Sequence, residues 1–316
     1  MRSVATATHT SAETAGRHLW MIALAATLWG TVGITTEALY HVAATNPLSV
    51  GFFRLAIATP TLALTCWALL GRNSFRIARR DVARMMLIGV MLALYQACYF
   101  AAIAWVGVTV ATLVTLCLAP VLVALLSVTV LRERLTVRVL FALVCAISGI
   151  VCVVGGRSAV AAHGSSDIRG ILLACGSALG YAIVTLAGRS VASRYHALQI
   201  NTVGFGTGSL VLLPVALATG FASVYPPQGW LMLAYLGTVP TALAYMLFVT
   251  GMRSIPATVT SIVTLLEPLT ATLLAWVLFG ERLGVIGLVG ALLMFTAMIV
   301  LAVRPSIHVA KHERLR

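Results

Sequence analysis

Ten apolar stretches of roughly twenty residues each, the length that crosses a bilayer as a helix, fill most of this 316-residue chain. They lie at 19–40, 47–70, 82–105, 108–131, 136–155, 169–189, 198–220, 228–253, 256–279 and 283–303. Inside a hydrocarbon core no water is present to satisfy a free strand edge or an irregular loop, so each run must close its own backbone hydrogen bonds as a helix. Barrel strands alternate in polarity over about 10 residues, and these runs do not alternate. Composition agrees: 60% of residues are hydrophobic and 9% charged, whereas soluble domains carry about 25% charged residues. The first run follows a polar tail of 18 residues and exceeds the apolar core of about 7–15 residues in a cleaved signal peptide. It reads as the first span of an all-α integral membrane protein.

The net charge of +13 in a soluble chain would point to nucleic acid. Here the basic residues sit between apolar runs and report topology instead. With a cytoplasmic N-terminus, 17 of the 21 Lys and Arg residues fall on the cytoplasmic side. Arg157, Arg169 and Arg282 fall outside, and Arg54 lies within a span. That bias predicts a multi-pass protein of the cytoplasmic (inner) membrane with both termini inside.

The chain also repeats itself. GVTVATLVTL (107–116) matches PATVTSIVTL (256–265), Pro120 matches Pro268, and the two ERL triplets at 133–135 and 281–283 match at an offset of 148. Looser matches pair LIGV (87–90) with YLGT (235–238) and LWGTVGIT (28–35) with LGYAIVT (179–185). The expected organisation is a cytoplasmic tail 1–18, a first five-helix repeat 19–155, an extracytoplasmic linker 156–168, a second five-helix repeat 169–303 and a cytoplasmic tail 304–316. Five is odd, so the second repeat enters the membrane upside down. Inverted repeats place a solute site near the midplane, where the halves meet.

The polar residues inside the spans are few. Glu267 stands mid-span where the first copy has Ala119, and a charge there costs about 3 kcal/mol on insertion scales. It is read either as a midplane group that touches substrate or exchanges a proton, or as a structural acid hydrogen-bonded within a helix kinked at Pro268, with Thr260 and Thr264 as donors. Trp29 is near a span centre, unlike Trp20, Trp67, Trp105, Trp230 and Trp276 near span ends, and its indole N–H needs a partner there. Tyr95 and Tyr99 share one helix face, Gln96 is adjacent, and Tyr181 and Tyr245 are also deep. Rings with hydroxyl ends suit a small amphipathic solute and equally suit interhelical packing. Glu37 and Arg54 face each other across the first hairpin, as an ion pair or with Arg54 free for a substrate carboxylate. Pro120, Pro240 and Pro268 are candidate hinges. Gly176/Gly180 and Gly204/Gly208 are small-residue pairs for close helix packing.

All seven histidines fall in tails or loops, and six cysteines lie singly in apolar runs. No metal site, disulfide framework, catalytic cluster or phosphate loop is expected, and hence no cofactor and no enzyme. A channel or scramblase would need a continuous polar lining that these spans lack.

Pro120 with Arg132-Glu133-Arg134-Leu135, and Glu267-Pro268 with Gly280-Glu281-Arg282-Leu283, resemble the paired signatures of EamA-type carriers in the drug/metabolite transporter superfamily. Leu28-Trp29-Gly30 and Arg54 fit the same pattern. Within it, the YddG-like aromatic amino-acid exporters are the suggested subgroup. The resemblance implies two inverted five-helix repeats and export of amino acids, other metabolites or drugs by alternating access. Ala119 departs from it, so no symmetric pair of carboxylates is implied. Nucleotide-sugar and sugar-phosphate carriers are the runner-up, but phosphates favour several intramembrane cations and only Arg54 qualifies. The partners expected are a small-molecule substrate and the lipid bilayer, not nucleic acid.

Overall fold

A computed structural model describes residues 2–131, 137–155, 165–252, 255 and 257–302, which contain helices and no strand. In chain order these are α1 (Arg2–Val42), α2 (Pro47–Leu70), α3 (Arg79–Leu131), α4 (Val137–Gly155), α5 (Ser165–Ala192), α6 (Ala197–Thr219), α7 (Pro227–Gly237), α8 (Ala244–Gly251), α9 (Ala257–Val263), α10 (Leu266–Phe279) and α11 (Val285–Ala302). Six stretches are long and apolar enough to cross a membrane, and three shorter apolar helices accompany them at Val139–Val153, Leu266–Phe279 and Val285–Leu301. α1 starts at Arg2, so the expected polar tail continues the first helix; no proline interrupts the chain before Pro47. The expected linker lies outside the described residues as far as 164, and its last residues open α5; the tail 304–316 also lies outside them.

Three departures from regular helix shape the fold. Gly107, at φ 76° and ψ 170°, splits α3 into two helices. The Tyr99 and Thr112 hydroxyls meet at 2.8 Å, although thirteen residues of continuous helix would hold them about 20 Å apart. The chain therefore folds back at Gly107, a backbone conformation open to glycine and strained for other residues. Between α7 and α8 a π-helical turn, Thr238–Leu243, surrounds Pro240. Proline has no N–H for the carbonyl four residues earlier; the Thr241 hydroxyl donates to Leu236 O at 2.7 Å instead. Ahead of Pro268 the backbone tightens, with Leu265 N–H on Ile262 O and Glu267 N–H on Thr264 O, and this separates α9 from α10. Pro240 and Pro268 thus sit at the irregularities expected of hinges. At Pro120, in contrast, α3 continues with helical backbone.

α3 packs chiefly on α5, α4 on α11, α2 on α6, and α1 on α8 and α10. Gly204 and Gly208 face Gly89 of α3, and Gly180 lies on the backbone of Tyr95, so both small-residue pairs serve close approach to α3. α4 and α11 cross at Gly149 and Gly290: a Cβ on Gly290 would lie 2.6 Å from Gly149 O and 2.7 Å from Val153 N. Backbone atoms cannot step aside as a flexible side chain can. Two ends close the bundle differently. At one, buried Asp81 accepts from Arg84 (3.2 Å), Arg194 (2.9 Å) and the Tyr195 hydroxyl (2.9 Å), tying α3 to the α5–α6 link. At the other, the Glu281 carboxylate accepts the N–H groups of Val108 and Thr109, each at 2.8 Å. Glu281 thus caps the helix that starts after Gly107, while its repeat counterpart Glu133 lies outside the described residues.

Gly290→Ala is expected to cost about 1–3 kcal/mol, the usual penalty of overpacking, and to lower the thermal unfolding midpoint in detergent. Gly188→Ala, with nothing within 4 Å of the added Cβ, is expected to leave the midpoint where it is.

Candidate functional site

Arg54 is set by its helix. Asn46 caps α2 through Ser49 N–H at 2.9 Å, Pro47 opens the first turn, and Arg54 follows on the buried face. Its Nη1 donates to Gln96 Oε1 of α3 at 2.8 Å and its Nε to Thr241 Oγ1 of the π-helical turn at 3.2 Å. Its guanidinium carbon stands 5.9 Å from the Phe100 ring centroid. A guanidinium offers five N–H donors, and these two bonds leave the remainder free among the described residues. The expected Glu37–Arg54 ion pair is corrected here. Glu37 Oε1 lies 3.4 Å from Nε2 of His41, one turn along on the exposed side of α1, while Arg54 turns inward to neutral acceptors.

The aromatic residues singled out in the sequence form two groups around this arginine. Tyr95 and Tyr99 stack with centroids 6.3 Å apart, and Tyr181 of α5 leans on Tyr95 at 5.5 Å. Across from them Trp29 of α1 packs on Tyr245 at 5.3 Å and on Phe248 at 4.9 Å, and Tyr245 meets Phe205 at 5.7 Å. The Tyr99 hydroxyl is tied to Thr112. The Trp29 Nε1 is buried without a partner among the described residues. Tyr181 is 39% exposed, yet its ring lies on Tyr95 and its hydroxyl feels the charge of Glu267.

Glu267 joins the two groups. It occupies the first turn of α10, immediately after the break. Gly30 of α1 lets the helices touch there: a Cβ on Gly30 would stand 2.7 Å from Glu267 O. Arg54 is near enough for its charge to act on the carboxylate, and Tyr95, Tyr99, Tyr181 and Tyr245 all lie within its field. The two charges are nevertheless not in ion-pair contact, since no oxygen of Glu267 comes within 4.0 Å of the guanidinium nitrogens. Of the hydroxyls expected to support Glu267, that of Thr260 is buried with no partner among the described residues.

Trp29, Tyr95, Gln96, Tyr99, Tyr181, Tyr245 and Glu267 are thus brought together with Arg54, and Glu37 stands apart near the Gly107 end. Sequence reasoning missed Thr241, which becomes an arginine ligand only because the π-helical turn re-aims it. It also missed Phe100, Phe205 and Phe248, which carry no polar signal. Among the described residues no group of three His, Cys, Asp or Glu is placed to hold a metal ion.

The EamA-like transporter family matches this chain twice, over residues 17–155 and 168–303. The uncharacterized transporter YwfM of Bacillus subtilis (strain 168) is 29% identical over 284 residues, covering 90% of this chain and 93% of its own. An uncharacterized transporter of Archaeoglobus fulgidus is 30% identical over 279 residues, covering 88% of this chain and 94% of its own. The pseudopaline exporter CntI of Pseudomonas aeruginosa is 27% identical over 210 residues, covering 66% and 70%. One crystal structure aligns with a TM-score of 0.63 at 21% identity, over 90% of this chain and 95% of that one, a likeness of fold. Two family matches and apolar helices of membrane-spanning length have one reading: the chain is an integral membrane protein of the EamA-like transporter family.

Proposed function

We propose that this protein is a secondary exporter of small amphipathic metabolites, amino acids and aromatic ones foremost, working by alternating access across the cytoplasmic membrane. Ten spans in two inverted repeats carry the site, with both termini cytoplasmic. Repeat-equivalent residues support the inversion by making equivalent contacts. Gly89 of LIGV packs on Gly204 of α6, and Gly237 of YLGT packs on Ile57 and Ala58 of α2. Ser49 accepts Ala222 N–H at one end, and Gln199 donates to Ser74 O at the other. Each pair exchanges one repeat for the other, as a twofold axis in the membrane plane requires.

The single observation behind the substrate reading is that Arg54 and Glu267 stand among the same aromatic side chains without forming an ion pair. A buried cation and a part-buried carboxylate held apart attract a solute that bridges them, its carboxylate on Arg54 and its ammonium on Glu267. The tyrosines and Trp29 offer stacking area beside both. A lipophilic cation would satisfy only Glu267, and a sugar phosphate would find one cation where it needs several. Export as the direction follows the family and the relative named as a pseudopaline exporter. Other metabolites and drugs remain the second reading, favoured by the relative named as a pseudopaline exporter.

Uptake and efflux from proteoliposomes against a panel of amino acids, with and without a pH gradient, tests the reading; no movement of any amino acid would sink it. Arg54→Gln is expected to raise the half-saturating concentration about tenfold or more, the loss of a charge-assisted hydrogen bond worth about 1.5–3 kcal/mol, with the protein still present in the membrane. Glu267→Gln is expected to flatten the dependence of transport on pH and to weaken substrates that carry an ammonium. Unchanged rate and affinity across the pH range would remove Glu267 from the mechanism.

A further inference from the structure

α10 carries Glu267 in its first turn and Glu281 just past its last. Its 14 residues make a rod about 20 Å long. At its near end the backbone is already broken at Thr264 and Leu265. At its far end Gly280, at φ 67°, turns the chain out of the helix, so that Glu281 points across to α3.

There the carboxylate meets a helix start. The first N–H groups of a helix have no partner within it, and an anion at that point also gains from the helix dipole. Glu281 takes two of these donors at once, those of Val108 and Thr109. A Cβ on Gly107 would lie 2.7 Å from Glu281 Oε1, so the turn itself presses against the carboxylate. Beside it Phe279 stacks on His41 at 6.0 Å, and Glu37 is close enough for its charge to act on Glu281. Glu37 Oε2 is buried without a partner among the described residues, so the neighbouring charge pushes on the tie rather than reinforcing it. Beneath lies a plug of apolar residues, Val106, Val108, Val110, Ala111 and Leu113, shared with α1, α10 and α11. Apolar packing inside a bilayer gains little over contact with lipid tails. The carboxylate is therefore the strong tie between α10 and α3 at this end.

We propose that Glu281 is the gating residue of the Gly107 end: α10 moves as one arm about the break at Thr264–Leu265, and releasing the carboxylate from Val108 and Thr109 opens that mouth. The arm carries Glu267 near its pivot, so a solute that loads Glu267 biases a latch it never touches. This rests on the transport reading above, but its test uses no substrate and fails or succeeds separately.

The probe is a cysteine in the plug, Val110→Cys, in full-length protein held in lipid nanodiscs. Its reaction with a polar maleimide is followed by mass spectrometry beside the native cysteines. Adding Glu281→Gln is expected to speed labelling at position 110 about tenfold, the change that 1.4 kcal/mol brings to an opening equilibrium. Amide hydrogen exchange over residues 108–112 is expected to rise with it, while the α2–α6 contact stays protected. Glu281→Asp keeps the charge on a shorter arm and is expected to give a smaller rise in the same direction. Labelling at the parent rate in both variants would overturn the proposal. So would exchange that rises equally throughout the protein, which marks Glu281 as a stabilising cap and no gate.

Discussion

A backbone buried in lipid has nowhere to send an unpaired N–H or carbonyl, and each one left over costs several kcal/mol. The regular helices meet this demand internally. The three irregular places must meet it with something else, and each does. Glu281 takes the N–H groups after Gly107, the Thr241 hydroxyl takes the carbonyl that Pro240 cannot serve, and short-range backbone bonds close the turn before Pro268. All three lie where elements of the two family-matched halves meet, those at Pro240 and Pro268 near Arg54 and Glu267 and that at Gly107 at the end closed by Glu281. The exceptions to helix are affordable there because side chains of the opposite repeat, or of the same turn, complete them.

Arg54 obeys the same rule for charge. A guanidinium in the interior needs acceptors, and neutral oxygens from Gln96 and Thr241 supply them without cancelling the charge. Had Glu37 paired with it, as hairpin geometry alone suggested, the cation would have been satisfied and closed to any solute. Instead Glu37 keeps to His41 and to the neighbourhood of Glu281 at the Gly107 end. The carboxylate that does act on Arg54 is Glu267, from the other repeat and at a distance. A cation and a carboxylate left without a finished ion pair stay open to a solute, as the proposed function requires.

Much of this was legible in the residues. Most apolar runs match the helices to within a few positions, although α1 begins at Arg2 and the runs at 228–253 and 256–279 are each broken in two; Trp29, Tyr95, Gln96, Tyr99, Tyr181, Tyr245 and Glu267 stand out because polarity in a membrane interior is costly. What could not be read was direction. Whether Arg54 turns toward Glu37 or toward Gln96 depends on which helix α2 meets. Thr241 faces the arginine only through the extra residue of a π-helical turn. Pro240 and Pro268 sit beside departures from regular α-helix whereas Pro120 stands in helical backbone, although all three read alike. Asp81 looks like a loop residue until Arg194 and Tyr195 arrive from the other half to bury it. Pattern gives period and polarity; partners come only with tertiary packing.

The contrast between Ala119 and Glu267 follows from that packing. In the first copy of the motif Ala119 is fully buried, in a cluster with Leu118 and Val121 of its own helix, Ala142, Cys145 and Ala146 of α4, and Ala178 of α5. A carboxylate there would displace small side chains and find no cation. In the second copy the equivalent position lies beside the break in α10, against Gly30 and within the field of Arg54. Duplication supplied two related frames, and only one of them opens onto the arginine. Gly89 and Gly237 repeat each other's contacts, as the proposed symmetry of the scaffold asks, while the proposed chemistry depends on where the two copies differ. A solute with unlike charged ends can bind in a single orientation in such a site, because the cation belongs to one repeat and the anion to the other.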